Sequence, residues 1–164
     1  MRKVCVLFFV MPFLLSCSAS YYNVKKFPLE RGKETIAVLP FENYTETPMA
    51  GLRASSIVDG VLRAKGYRIY EKFWVEEERD FTSQEIKKLL TEVKKAGVRY
   101  AIVGSVNEWR YKTGIDGEPA VSLTIRLYDL QNNETIWGAT GAKTGWSHES
   151  LGTVAQKLIN GMGF

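Results

Sequence analysis

A chain of 164 residues with 22 Lys and Arg against 18 Asp and Glu carries a formal charge of +4. That excess is too small to argue for nucleic acid as a partner, and no basic run is interleaved with stacking aromatics. A single histidine excludes a multi-histidine metal site within one subunit, and the length suits one domain with a real core.

At the N-terminus Arg2 and Lys3 precede an almost wholly apolar run over residues 4–15. About a dozen residues is too short to span a bilayer, which needs roughly 20. The pattern fits a secretory signal over residues 1–16. The run ends Leu14-Leu15-Ser16-Cys17, which resembles the lipobox of bacterial lipoproteins. That resemblance implies cleavage before Cys17 and acylation of its sulfur and new amino group by fatty acids such as palmitate. Ser18, where Asp could stand, implies an outer-membrane address on the periplasmic face. The other reading is an ordinary signal peptide with a cysteine beside it by chance. Each buried methylene contributes about 0.8 kcal/mol, so several acyl chains anchor a protein where one binds only marginally. Cys5 leaves with the signal and Cys17 is modified, so the mature chain has no free thiol, disulfide or cysteine metal site.

Residues 17–33 are polar, tyrosine-bearing and aperiodic, and read as a lipidated tether before a single α/β domain over 34–164. The run "TIAVLPF" at 35–41 is short and apolar, as in a buried strand. After the loop "ENYTET", Thr47 is placed to cap a helix with Pro48 at its first position and Gly66 at its end. Leu52, Ile57, Val58, Val61 and Leu62 give that helix an apolar face. "YRIYEKF" at 67–73 reads as a second strand. Thr82 and Glu85 form a capping box opening a helix over 83–96, closed by Gly97. Its apolar stripe is Ile86, Leu89, Leu90 and Val93, with lysines on the solvated face.

Three strands come next without helices between them, at 100–112, 120–130 and 135–142, joined by "TGIDGEP" and "QNNE", which carry hairpin residues. "HESLGTVAQKLINGM" is a final helix with Ser147 as its cap. The order β-α-β-α-β-β-β-α predicts an α/β (α+β) fold, a mixed sheet with the helices packed on one face.

Chemistry is scarce. The single ring of His148 reads as a first-turn helix residue, no G-x-S-x-G elbow is present, and "GATGAKTG" lacks the P-loop spacing. Its glycines fall at a strand end and turn, where they mark a bulge or close backbone approach. Asp116 and Glu118 flank one glycine on an exposed turn. A glycosidase pair must flank a substrate inside an enclosing cleft that raises the acid's pKa, and neighbours on one turn have none. The chain therefore reads as a non-enzyme, with no cofactor. Asp-Gly is ordinary turn chemistry, and an ion pair to Arg110 or Lys112 is open to either carboxylate. Trp137, in a strand, reads as core, whereas Trp146, in the loop "TGWSHE", suits either core packing or the headgroup level of a membrane.

"EWRYKTGIDGEPAVSL" at 108–123 and "IWGATGAKTGWSHESLGTVAQKLI" at 136–159 resemble the PelC family, outer-membrane lipoproteins of the Pel exopolysaccharide export system. "IAVLPFENYTETPMAGLRASSIVDGVLRAKG" at 36–66 is similar to that family's opening strand and helix, and "KFWVEEERDFTSQE" at 72–85 departs from it. The resemblance implies a non-catalytic domain similar to the CsgG and TolB N-terminal-like domains. It further implies a dodecameric ring beneath a β-barrel exporter, PelB, and a cationic, partly deacetylated amino-sugar polymer as cargo. An electronegative pore and an aromatic membrane belt are implied as well, with Asp116 and Glu118 expected in the acidic surface and Trp146 in contact with outer-membrane lipid. The competing reading is a monomeric outer-membrane lipoprotein that binds and activates a periplasmic synthase.

Overall fold

A computed structural model of the chain describes residues 26–71, 78–114 and 117–164, and the backbone of 19–23. The signal at 1–16, Cys17, Trp74 and Asp116 lie outside the described residues.

The elements are β1 (Ala19–Asn23), β2 (Thr35–Val38), β3 (Glu42–Asn43), α1 (Ala50–Ala64), β4 (Arg68–Ile69), α2 (Ser83–Lys95), β5 (Tyr100–Tyr111), β6 (Pro119–Asp129), β7 (Glu134–Thr144) and α3 (Leu151–Asn160). One mixed sheet holds all the strands in the order β1-β7-β6-β5-β2-β4, with β3 also paired to β5. β2, β3 and β4 pair in parallel, as crossovers through helices require, and the β5-β6-β7 meander with β1 is antiparallel. The α+β class and the expected helix–strand order are present.

The helices, however, lie on both faces of the sheet. Ile36, Ile102, Val121, Leu123, Ile125 and Leu127 face α1 and α3 in the larger core. Their neighbours Ala37, Leu39 and Ala101 pack on the other face with Ile86 and Val93 of α2. The sequence shows why: residues 36–39 and 100–103 are apolar at every position, so both faces need covering.

The stretch expected as a tether also takes part in the fold. β1 pairs with β7 along its whole length. Phe27 and Leu29 are buried, and Phe27 makes edge contacts with Tyr67 at 5.3 Å, Trp137 at 5.1 Å and Phe164 at 5.2 Å. Polar, aperiodic composition concealed two large apolar anchors.

Helix starts divide the same way. The Thr82–Glu85 capping box is present in both directions, and Gly97 takes φ +81° past the end of α2. Arg79 beside Glu85, with the Thr82 backbone and hydroxyl, holds the Glu85 pKa down to about 2. Thr47 does not cap α1. Its hydroxyl donates to the Trp109 carbonyl at 2.6 Å, where β3 has ended, and the helix begins at Ala50 behind Met49 at φ 58°. Ser147 does not cap α3; Ser150 does, accepting from the Thr153 N–H at 3.1 Å.

The pairing of β5 with β6 shifts register between Val106 and Glu108. The extra residue reverses the alternation, so Trp109 returns to the core face that Val106 shares. Tyr111, two residues on, stays on that face, half exposed.

Candidate functional site

The β5–β6 hairpin, the loop before α3 and the start of β1 meet at one end of the sheet. Tyr111 pairs with Pro119, Ala120 with Thr144, and Ala19 with Lys143. Beyond these pairs the Gly145 N–H donates to the Pro119 carbonyl at 2.8 Å, which ties the loop to the hairpin.

In the hairpin the Lys112 N–H donates to the Glu118 carbonyl at 2.8 Å. The Lys112 ammonium stands 3.5 Å from the Glu118 carboxylate, with both side chains 43% exposed. Gly117 has φ +51°, which glycine adopts without strain. Arg110 pairs instead with Glu108, at 2.9 Å. Of the partners open to Glu118 the fold thus chooses Lys112. Such a pair contributes about 0–1 kcal/mol, and its electrostatic consequence is larger: one of the two carboxylates at the hairpin tip is balanced. With Asp116 the stretch keeps a single excess negative charge.

Trp146 is 39% exposed, neither core nor free of the fold. Its N–H donates to Glu149 Oε2 at 2.9 Å and its carbonyl accepts from the Glu149 N–H at 2.9 Å. Lys157, one face further along α3, donates to the other oxygen of Glu149. The Lys157 ammonium and the Trp146 N–H together lower the Glu149 pKa from its usual value.

Two grooves flank this end. One, of about 730 Å³, lies between α1 and the start of α3, lined by Met49, Leu52, Ile57, Tyr111 and Leu151, with Arg53 and Ser56 among them. The other, of about 620 Å³, is polar and bordered by Tyr44, Glu46, Asn107, Glu108 and Ser122. Tyr44 is 65% exposed. Glu42 accepts a hydrogen bond from its hydroxyl and raises its pKa. Sequence reasoning missed both grooves. Leu52 and Ile57 read as part of α1's core face, yet they are only partly buried. Ala50, Ala54, Val58, Val61 and Leu62 make the buried apolar stripe, and spacing in the sequence does not separate them from Leu52 and Ile57. Among the described residues no group of three or more His, Cys, Asp and Glu is placed to hold a metal.

The architecture defines a class, the small α+β domain with helices on both faces of one mixed sheet. Lipoprotein GNA1162 from Neisseria meningitidis shares it, with a TM-score of 0.57 at 20% identity over 77% of this chain and 96% of that one. The likeness to PelC from Paraburkholderia phytofirmans, solved as a dodecamer in two crystal forms, goes further. In both forms the TM-score is 0.71 and the identity 38% over 88% of this chain, covering 95% and 94% of the PelC chains. The chain belongs to the PelC family. No family model matches it, and no curated protein does.

Proposed function

We propose that this chain is an outer-membrane lipoprotein of a Pel exopolysaccharide export system. On this reading Cys17 carries the lipid, and the domain assembles as a dodecameric ring on the periplasmic face. The ring guides a cationic amino-sugar polymer to a β-barrel exporter of the PelB kind during secretion of biofilm matrix. The domain performs no chemistry on its cargo. The observation that carries the reading is the 38% identity to a dodecameric PelC across nearly the whole domain.

The hairpin supplies the physics. One excess carboxylate per protomer is weak, but repetition about an axis makes the fields add, even in a slightly basic protein. Weak repeated attraction suits a polymer that must enter and still leave. Asp116 and Glu118 are the residues assigned to this acidic surface. Trp146 is assigned to the bilayer, at the end of the sheet where β1, two residues after Cys17, begins.

The test is the mass of the acylated protein in nanodiscs, followed by secretion assays on Asp116→Lys with Glu118→Lys. A large closed oligomer, with normal assembly but reduced polymer secretion in the charge-reversed protein, is expected. A monomer in lipid overturns the ring and favours the synthase-activating lipoprotein. Undiminished secretion from a normally assembled variant removes the acidic role.

A further inference from the structure

We propose that the groove between α1 and α3 is the seat of a second copy of this chain, the contact that builds the ring. The inference rests on the ring reading and names the surface that reading leaves unassigned.

The argument starts from α1. Its core stripe is complete with Ala50, Ala54, Val58, Val61 and Leu62, all buried beneath it. Leu52, Ser56 and Ile57 lie off that stripe, and with Met49, Tyr111 and Leu151 they line an open groove of about 730 Å³. Ile57 and Leu151 pack against the core with part of their surface, and with Leu52 they remain only partly buried, so apolar surface is left open along the groove. Patches of this kind mark association surfaces.

The composition also fits. Interface cores are enriched in aromatic residues, Met and Arg and depleted of Lys and Glu. Among the described residues the groove offers Tyr111, Met49 and Arg53, no lysine, and a single acid, Glu78. The outer face of α2 carries Lys87, Lys88, Glu92, Lys94 and Lys95 and reads as solvated surface by the same criterion.

A second copy is the occupant that the family supplies, because relatives of 38% identity assemble as dodecamers. In a closed cyclic ring each contact joins two different surfaces of the same chain. The groove is one of them, so a protomer blocked at the groove still offers the other. Blocked protomers therefore cap growing assemblies, a behaviour that a face-to-face symmetric contact does not produce.

Ser56→Arg tests this. Ser56 is exposed on α1, Arg is a better helix former than Ser, and the long cationic side chain projects into the groove. The acylated protein in nanodiscs is weighed by light scattering, with circular dichroism to check the fold. The expected result is a closed oligomer for the wild type, a folded monomer for Ser56→Arg, and small open assemblies for mixtures. A wild-type mass for Ser56→Arg overturns the groove as the seat and leaves the ring reading intact. A wild type that is monomeric in lipid overturns both.

Thiol labelling separates the remaining occupant, the chain's own segment at 72–77. Ser56→Cys is labelled with a maleimide in the assembled protein and again in a monomeric Leu52→Arg background, with Lys87→Cys as the solvated control. Burial by a neighbouring copy slows labelling at position 56 on the order of 10-fold or more on assembly only. Slow labelling in the monomer as well shows that the chain covers its own groove, and overturns the proposal.

Discussion

Trp146 and Glu149 are joined twice: the Trp146 N–H donates to the Glu149 carboxylate, and the Glu149 N–H donates back to the Trp146 carbonyl, each at 2.9 Å. A partly exposed indole is thereby held on a closed turn rather than a loose loop. Lys157 of α3 takes the other carboxylate oxygen, so the turn is fastened to the helix beyond it.

The clasp is pH-sensitive in a definite direction. The Lys157 ammonium and the Trp146 N–H lower the pKa of Glu149 in the folded chain. Its contribution is therefore fully present above the ordinary glutamate value, near 4.3, and is lost as pH falls through the depressed folded value. The protection factor of the Trp146 amide, its intrinsic exchange rate at a given pH divided by the observed one, is expected to be high at neutral pH and to fall on acidification below pH 4. In Glu149→Gln it is expected to be lower at neutral pH and nearly independent of pH. A wild-type protection factor that does not change with pH refutes the clasp.

Trp146→Ser tests the membrane contact proposed for this residue. Burying about 100 Å² of indole at ~25 cal/mol per Å² gives about 2.5 kcal/mol, on the order of 50-fold in partitioning. In protein carrying Cys17→Ser, and so without acyl chains, liposome binding is expected to fall by roughly that factor while the circular dichroism spectrum is unchanged. Unchanged binding with an intact fold removes Trp146 from the bilayer.

What could be read from the sequence was whatever is encoded locally. Thr82 and Glu85 satisfy each other within one turn, so the start of α2 is legible in four letters. Thr47 carries the same local signal, but its hydroxyl is claimed by the Trp109 carbonyl, 62 positions away, and only the fold decides that competition. Ser147 falls inside the Trp146–Glu149 turn, and Ser150, just beyond that turn, is the cap. Phe27 escaped notice in polar surroundings, since its partners Tyr67, Trp137 and Phe164 are scattered along the chain. At the site, Glu118 was legible as a charge and its pairing with Lys112 as one option among several. The groove was not legible, because apolar residues on a helix look alike until the stripe that the sheet covers is known.

Asp129, almost fully buried, closes the turn between β6 and β7. It accepts from Arg99 Nη2 at 2.8 Å and from the N–H groups of Gln131 at 2.9 Å and Asn132 at 3.3 Å. Arg99 is the main cause of its lowered pKa, which burial opposes. Asp129→Asn places an amide NH₂ among donors and is expected to cost about 2 kcal/mol at neutral pH. Because the folded pKa is depressed, the native contribution is complete above about pH 4 and disappears as pH falls through the folded value. Urea midpoints of wild type and variant should therefore lie far apart at pH 7 and converge towards pH 2. A constant gap argues that the charge is not what holds this turn.

Two glycines in α1 predict opposite outcomes for the same substitution. A Cβ on Gly51 would stand 2.0 Å from the Phe41 carbonyl oxygen, so α1 approaches the sheet closely only because that position has no side chain. A Cβ on Gly60 would meet nothing within 4 Å. Gly51→Ala must push the helix off the segment between β2 and β3 or bend it, and overpacking of this kind costs roughly 3 kcal/mol or more against rigid backbone. Gly60→Ala restrains the unfolded chain at an exposed helical position and is expected to stabilise by about 0.5–1 kcal/mol. Urea unfolding followed by circular dichroism reads both. If Gly51→Ala is as benign as Gly60→Ala, α1 does not rest on the Phe41 backbone, and the floor of the α1–α3 groove is not where the fold places it.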